Sequence, residues 1–255
     1  SSDVCSSDLS EVGSKSYWAF EALEQSWPYG TERVTDLADH GVHVFWGLVK
    51  HNGINIKEVI KRKQPYIFID MPYWGRWMPN CSSSDSYWRV IVNGLHISSV
   101  SDYPDDRSKH IELKPWQENN DGHILICPSS RTLNNFYGQP WWTKTTCNDI
   151  KTYTDQNDIR VREKPRSNGT SGPSVANVSL EQDLKGAYCT VTLCSLVAVE
   201  SIIAGIPCIT SPFSAAAPCS VHSLKDIDNL VKPNRQKWLN TLSYNQWSIK
   251  ELANG

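Results

Sequence analysis

The stretch at residues 187–210, AYCTVTLCSLVAVESIIAGIPCIT, carries the strongest fold signal in the chain. Residues 187–192 form a short apolar run with β-branched positions, which predicts a buried strand. Residues 196–204 predict a helix closed by Gly205, because glycine is the residue that most often follows a helix C-terminus. A second strand is predicted at 206–210. The stretch is therefore a β–α–β crossover, the unit from which parallel sheets are built.

The same alternation of strands and helices is found in the residues that precede this crossover. Strands are predicted at 123–128 (HILICP) and 158–163 (DIRVRE), with helices at 141–153 and 178–185. Ser179 and Gln182 have the spacing of a capping box at the start of the latter helix. Together with the crossover, these elements predict one Rossmann-like α/β block.

A second, smaller block is predicted nearer the N-terminus. Apolar runs at 41–48 and 65–71 predict two buried strands, and the helical spacing at 55–63 places a helix between them. A short helix precedes them and ends at Trp27-Pro28-Tyr29-Gly30. Residues 73–115 are rich in Trp, Ser, Asp and Pro, with one alternating stretch at 87–92 before Asn93-Gly94, and predict a meandering insertion or inter-domain region. Residues 233–252 predict an amphipathic helix or pair of helices, with Trp238, Leu239, Leu242 and Trp247 on the apolar side.

These blocks predict an α/β protein of two Rossmann-like domains, at 10–120 and 121–232, with a C-terminal helix at 233–255 that packs back on the first domain. No strand precedes the first helix, so the N-terminal domain is expected to lack its first strand. Residues 1–9, SSDVCSSDL, look like a translated sequencing adapter carried over from raw metagenomic sequence. We therefore exclude them from the fold assignment, and Cys5 with them.

Composition excludes several classes of function. The formal net charge of −2 offers no basic field, so nucleic acid is an unlikely partner. No run is long and apolar enough to span a bilayer. The cysteines other than Cys5 lack metal-ligand spacing and several lie in apolar runs, which predicts reduced thiols, a cytoplasmic location and no metal site. Neither GxGxxG nor GxxxxGK[ST] occurs, which argues against dinucleotide oxidoreductases and P-loop NTPases.

Three side chains of the crossover point to a ligand. Ligands of open parallel sheets bind beyond the carboxyl ends of the strands, where Thr192 and Ser195 are placed. Free backbone N–H groups at residues 195–197, together with the helix dipole, would suit a diphosphate, although a routine serine cap is an equally simple interpretation. Glu200 has apolar residues three and four positions away on both sides. It is expected either to line a cleft beside a ribose or sugar hydroxyl, or to pair with Arg162 or Lys164.

The segment SLVAVESIIAGIPCI resembles the S-x-x-x-x-E-x-x-x-x-G-x-P-V element of GT-B glycosyltransferases and related capsule-polysaccharide enzymes. Ser195, Glu200, Gly205 and Pro207 match it, while Cys208 and Ile209 stand where Val is common. The resemblance implies two domains that face each other across a cleft. It also implies that Ser195 lies by the donor phosphates and that Glu200 contacts the nucleotide-sugar. A bound metal is not required in this family, and no cofactor is expected beside the nucleotide-sugar substrate.

Most of residues 17–247 is similar to uncharacterised phage and bacterial proteins with this two-block layout. The shared features are "FWG" at 45–47, an aromatic-Gly-Arg step at 74–76, "YWRV…NG" at 87–94 and "QW" at 246–247. This likeness concerns the fold and does not specify a reaction.

The resemblance leads to a set of expected site residues. Asp70 ends an apolar strand and is the candidate catalytic base, unless it only caps the following turn. Arg76 is the second catalytic candidate, and it could instead reach a local carboxylate. Acceptor stacking is assigned to Trp46 and Trp74, with Trp77 nearby, although core packing would also explain such aromatic residues. The donor site is assigned to Arg162, Lys164, Thr192, Ser195, Glu200, Ser211 and Ser214.

The expected function is transfer of a sugar from a nucleotide-sugar to an unknown acceptor, a glycan or a phage or host polymer. Two alternatives stay open at this point. A nucleotide-sugar epimerase of the same fold would convert the donor without an acceptor. A non-catalytic carbohydrate- or DNA-interacting phage protein would convert nothing.

Overall fold

A computed structural model of the chain describes residues 4–5, 15–34, 36–49, 51–74, 87–156, 158–163 and 178–255. It divides into two compact units, one formed by Ser1–Ile97 with Leu242–Gly255 and the other by Ser98–Thr241. Residues 98–120 thus cluster with the second unit, while the predicted domain boundaries after 120 and 232 stay predictions. Arg76, Trp77 and Lys164 lie outside the described residues.

Unit 1 contains a four-stranded mixed sheet in the order β10 (Gln246–Ser248), β5 (Tyr87–Val92), β4 and β3. Strands β3 (His43–Trp46) and β4 (Tyr66–Asp70) are parallel and joined by helix α2 (Asn52–Lys61). The predicted strand–helix–strand unit is thus confirmed. Helix α2 begins three residues earlier than predicted, where the buried Asn52 side chain donates to the carbonyls of Trp46 and Gly47. A separate two-stranded pair joins β1 (Val4–Cys5) to β2 (Arg33–Val34). β1 precedes the first helix and lies within residues 1–9, so the prediction that no strand precedes that helix is wrong, although β1 is not part of the four-stranded sheet.

The predicted insertion at 73–115 is wrong in one part. Residues 87–92 form β5 (Tyr87–Val92), which pairs antiparallel with β4 inside the sheet. The C-terminal prediction needs a similar correction. Between α7 (Gln236–Ser243) and α8 (Ile249–Asn254) lies a strand, β10 (Gln246–Ser248), which pairs antiparallel with β5 and contains Trp247. Helix α1 (Lys15–Ser26) and α8 contribute Phe20, Leu23, Ile249 and Leu252 to one buried cluster with the sheet.

Unit 2 contains a fully parallel sheet in the order β7-β6-β8-β9. Its strands are β6 (His123–Ile126), β7 (Ile159–Val161), β8 (Ala187–Val191) and β9 (Cys208–Ile209). Its helices are α3 (Arg131–Phe136), α4 (Trp142–Asp149), α5 (Leu180–Leu184) and α6 (Val197–Ile203). Three-residue 3₁₀ turns lie at Ile150–Thr152, Ala217–Cys219 and Leu224–Asp226. All four predicted strands are present, and the predicted Ser179–Gln182 capping box is confirmed at α5.

Side chains of β6 alternate between the two faces of this sheet, as strand geometry requires. Ile124 and Ile126 pack in a cluster with Ile150, which follows α4. Leu125 instead packs with Leu184 of α5 and Ile206. The helices therefore cover both faces of the sheet, and the loops lie at the two ends of the strands.

The C-terminus of α6 is closed by a segment from earlier in the chain. Gly205 has φ +80°, which the predicted glycine stop requires. Lys114 N donates to the carbonyl of Ile203 at 3.0 Å, and Gln117 N donates to that of Gly205 at 2.8 Å. The buried Arg235 donates to the carbonyl of Ile202 at 2.5 Å. The last carbonyls of α6 are thereby hydrogen-bonded within unit 2.

Among the residues described, no helix is long and apolar enough to cross a membrane. Cys127, Cys147, Cys189, Cys194, Cys208 and Cys219 are free thiols.

Candidate functional site

The strand order of unit 2 creates a crevice at one edge of its sheet. From β6 the chain passes to β7 on one side, and from β7 it returns across β6 to β8 on the other side. This reversal makes the carboxyl ends of β6 and β8 the topological switch point, where ligands of open parallel sheets bind. The loops that leave these strands are residues 127–130 and 192–196.

Hydrogen bonds join three loops at this edge. Cys194 N, after β8, donates to Ser129 Oγ, after β6, at 3.1 Å. Ser211, after β9, donates to the carbonyl of Leu193 through its N at 3.0 Å and through its Oγ at 2.5 Å. The structure therefore brings Thr192, Ser195 and Ser211 to one edge, as the sequence predicted, and adds Ser129 to them.

The hydroxyls of Thr192 and Ser195 are used locally. Ser195 N donates to Thr192 Oγ1 at 3.2 Å, and Val197 N donates to Ser195 Oγ at 3.4 Å. The expectation of free N–H groups at residues 195–197 is therefore wrong for Ser195 and Val197. Ser195 Oγ therefore accepts from the first residue of α6, whose N-cap position is Leu196, and this local use of the hydroxyl resembles the serine cap that its position allowed.

Ser214 lies in the same loop as Ser211 but is fully buried. Its Oγ accepts a hydrogen bond from Ala216 N at 3.3 Å, and its own N donates to the carbonyl of Ser211 at 3.1 Å. Ser214 therefore shapes the loop after β9.

Glu200 does not lie on the buried stripe of α6. The buried residues of this helix are Ala198, Val199, Ser201 and Ile202, and Glu200 is exposed. It lines an open groove of about 490 Å³ between α5 and α6. The groove has an apolar part formed by Leu180, Leu184, Ile203, Ala204 and Ile206, and a polar part formed by Lys114, Gln117, Glu181, Lys185 and Glu200. The apolar neighbours expected around Glu200 are thus partly present, on the outer face of the unit.

Arg162 leaves the carboxyl end of β7 and pairs with Asp183 of α5. Its Nη1 also donates to the carbonyl of Val178 at 3.0 Å. The side chains of Arg162 and Asp183 are 13% and 12% exposed, so the pair is shielded from solvent. Asp183, rather than Glu200, is the carboxylate bonded to this guanidinium.

Unit 1 has a polar cluster at the end of β4. Asp70 Oδ2 accepts from Arg89 Nη2 at 2.8 Å, and its Oδ1 accepts from Met71 N at 2.8 Å. The Asp70 side chain is 36% exposed, whereas Arg89 is 4% exposed. A carboxylate has about four lone-pair positions, so Asp70 retains acceptor capacity on its exposed side. The turn-capping role that the sequence allowed for Asp70 is present, together with an ion pair that it did not predict.

Arg89 is enclosed by aromatic and imidazole rings. Its guanidinium carbon lies 5.6 Å and 5.5 Å from the ring centroids of Phe68 and Tyr73. His96 Nδ1 lies 3.2 Å from Arg89 Nη1. Burial and the neighbouring Arg89 charge hold the pKa of His96 well below its ordinary value, so this imidazole is the neutral acceptor for Arg89. Burial also raises the pKa of Tyr73 to about 12.

The two tryptophans assigned to the acceptor have different surroundings. Trp46 packs on Trp88 with ring centroids 4.6 Å apart and joins the buried cluster of unit 1. Trp74 is half-buried beside Tyr73, with ring centroids 6.2 Å apart, and its N donates to Gln246 Oε1 at 3.4 Å. Core packing accounts for Trp46, which the sequence had left open.

Several residues of these two regions were not predicted. Ser129 follows a predicted strand just as Ser195 does, so the same strand-end rule could have found it. For Arg89, the sequence left open whether the side chain reaches a cleft or a local carboxylate, and it did not identify Asp70 as that carboxylate. His96 and Gln246 gave no signal for this cluster, because their contacts form only in the folded unit.

Asp226 and Asp228 form an Asp-x-Asp pair, so the expectation that the chain lacks this motif of metal-dependent GT-A glycosyltransferases is wrong. The intervening Ile227 is buried, and its carbonyl accepts from Tyr188 Oη at 2.7 Å. Tyr188 is the second residue of β8, roughly 13 Å along the strand from Thr192. Within the described residues, no group of three or more His, Cys, Asp or Glu could hold a metal ion.

Comparison with known proteins bears on the fold. No family model matches the chain, and no curated protein matches it. Among solved structures, the β-Kdo 2,7 transferase of Thermosulfurimonas dismutans KpsC matches with a TM-score of 0.52 at 12% identity, over 94% of this chain and 89% of that one. The β-Kdo 2,4 transferase of the same protein matches with a TM-score of 0.40 at 8% identity, over 87% and 85%. The first match shows a glycosyltransferase-like fold for this chain.

Proposed function

We propose that this protein is a glycosyltransferase that moves a sugar from a nucleotide-sugar to an acceptor. The observation that carries the proposal is the carboxyl edge of the unit 2 sheet, where hydroxyl-bearing loops after β6, β8 and β9 meet at the switch point. This edge belongs to a fold that a sugar transferase shares over nearly the whole chain. We assign the donor to this edge, in a two-domain arrangement of the GT-B type.

The proposed roles follow from chemistry. A departing nucleoside diphosphate needs N–H and O–H donors. Ser195 N and Ser211 Oγ would exchange their present acceptors for phosphate oxygens, and the hydroxyls of Thr192 and Ser195, which accept from backbone N–H groups, would donate to further phosphate oxygens. Asp70 is the proposed base for the acceptor hydroxyl, because its carboxylate is partly exposed and is fixed in place by Arg89. Glu200 is proposed to meet a hydroxyl of the donor, and Trp74 to contact the acceptor. The reaction needs no metal in this scheme.

The donor site is tested by calorimetry with UDP, CDP, CMP, GDP and ADP. We expect at least one nucleotide to bind. Ser195→Ala should lower the affinity for that nucleotide by about 10- to 100-fold, because a hydrogen bond to a charged group contributes roughly 1.5–3 kcal/mol. Ser179→Ala is the matched control, since it removes a serine cap from α5 and should leave the dissociation constant unchanged. If no nucleotide releases heat or raises the unfolding temperature, the proposed donor site is wrong.

The role of Glu200 is tested by measuring turnover of the nucleotide-sugar that contains the bound nucleotide. Glu200→Gln should abolish transfer without loss of folding. Glu181→Gln is the control, because Glu181 lines the same groove. Equal turnover in both variants would remove Glu200 from the site. Formation of a donor epimer without acceptor would favour the epimerase instead.

A further inference from the structure

We infer that the rings of Tyr137 and Phe213 form a stacking platform for the base of a bound nucleotide. The inference rests on the proposed function, because it places the base of the donor whose phosphates are assigned to the switch-point loops. It adds two residues that neither the sequence analysis nor the proposed donor site includes.

The two rings lie face to face. Their centroids are 3.7 Å apart and their planes differ by 14°. Tyr137 directly follows α3, the helix after β6, and Phe213 lies in the loop after β9. Because β8 lies between β6 and β9 in the sheet, the contact passes across the carboxyl end of β8. Ser211, two residues before Phe213, donates to the carbonyl of Leu193, which connects the ring pair to the loop that holds Thr192 and Ser195.

This arrangement is imposed by the scaffold on both sides. Aromatic pairs favour offset or edge-to-face contacts over a cofacial one, so ring preference alone does not explain it. On one side, Gly138 has φ +70° and Gln139 N donates to the carbonyl of Asn134 at 2.7 Å. On the other side, Trp238 Nε1 donates to the carbonyl of Ala215 at 2.8 Å, two residues after Phe213. Because the rings cover each other's inner faces, a base would stack on the outer face of one ring while the other ring supports it from behind. A ring that is already fixed in this way loses little entropy when a planar ligand stacks on it.

Both rings remain half-buried, so each presents part of an apolar surface to solvent. Every nucleobase has a π-face, and stacking on an aromatic ring is tolerant of base identity. The phosphates would occupy the hydroxyl-lined loops, and the base would lie on the rings. The platform therefore suits a nucleotide better than free pyrophosphate.

The experiment compares nucleotide binding with binding of a base-free probe. Titrations of UDP, CDP, CMP, GDP and ADP identify the tightest nucleotide for the wild type, and pyrophosphate is titrated separately. In Tyr137→Leu/Phe213→Leu, which keeps apolar volume but removes both rings, we expect nucleotide affinity to fall roughly 5- to 150-fold. Pyrophosphate affinity should change less than about twofold. Tyr137→Phe/Phe213→Tyr keeps both rings and should bind the nucleotide like the wild type.

A measurement on the wild type needs no variant. Nuclear Overhauser contacts between base protons and the Tyr137 or Phe213 ring protons are expected in the nucleotide complex. Unchanged nucleotide affinity in the leucine variant, an equal loss of pyrophosphate binding, or a complex without such contacts would overturn the platform and leave the proposed donor site in place. A wild type that binds neither nucleotides nor pyrophosphate overturns the proposed donor site as well.

Discussion

Gly205 gives the sharpest test of how the β–α–β unit is built. In Gly205→Ala, the added Cβ would lie 2.0 Å from the carbonyl oxygen of Pro115, and the residue would have φ +80°. The left-handed conformation costs a non-glycine residue about 1–2 kcal/mol. The contact is with backbone, so a rotamer change cannot relieve it, and overpacking of this kind costs about 1–3 kcal/mol. The expected total is about 2–5 kcal/mol.

Gly186 provides the matched control. It has φ +76°, but a Cβ there meets nothing within 4 Å. Gly186→Ala should therefore show the conformational cost of about 1–2 kcal/mol without the steric one. Both substitutions also restrict the unfolded chain equally, so that effect cancels in the comparison.

Calorimetric unfolding measures the difference. For a domain of this size, 1 kcal/mol corresponds to about 2–4 °C in Tm, so Gly205→Ala should lower Tm by about 4–20 °C and Gly186→Ala by about 2–8 °C. Equal shifts in the two variants would refute the reasoning, because they would mean that residues 114–117 do not pack against the end of α6.

Two further predictions concern the Arg89 cluster of unit 1. The pKa of His96 is lowered in the folded state, so below about pH 6.5 the unfolded chain binds a proton that the folded chain does not. The free energy of unfolding therefore decreases as the pH is lowered, by at most about 1.4 kcal/mol per pH unit. His96→Asn keeps an acceptor for Arg89 and should flatten this slope in urea unfolding between pH 7.5 and 5.5, and an unchanged slope would contradict the assignment. Asp70→Asn leaves the buried Arg89 charge without its carboxylate and should cost about 1–3 kcal/mol. Asp158→Asn, in an exposed pair with Arg160, should cost less than about 1 kcal/mol, and equal costs would argue against the burial of Arg89.

The sequence was sufficient to predict the four strands of unit 2, because their signals are local, although helix α3 (Arg131–Phe136) was not predicted. Each strand is a short apolar run, and helix ends carry their own markers, such as the Ser179–Gln182 box and Gly205. In unit 1 the strand β5 was missed as a member of the sheet. One of its partners, β10, lies more than 150 residues away in sequence, and its pairing with β4 follows a long connection without a hairpin turn signal, so neither contact leaves a local pattern.

Side-chain use was less predictable than side-chain placement. Spacing placed Glu200 among apolar residues, but tertiary packing buried Ala198, Val199 and Ile202 and turned Glu200 outwards. Likewise, spacing placed Arg162 near the sheet edge, whereas its bond to Asp183 depends on where α5 packs. Periodicity identifies an apolar stripe, and the neighbouring elements decide which side of it is covered.

The local hydrogen bonds of Thr192 and Ser195 bear on whether this edge can bind phosphate. Each joins neutral groups and contributes about 0.5–1.5 kcal/mol, whereas a bond to a charged oxygen contributes about 1.5–3 kcal/mol. Exchanging one for the other is therefore favourable by roughly 1 kcal/mol per group before the phosphate is desolvated. A few such exchanges give an affinity that is modest on its own. Contacts of the base must then supply the rest of the binding free energy. We propose that the half-buried rings of Tyr137 and Phe213 provide these contacts.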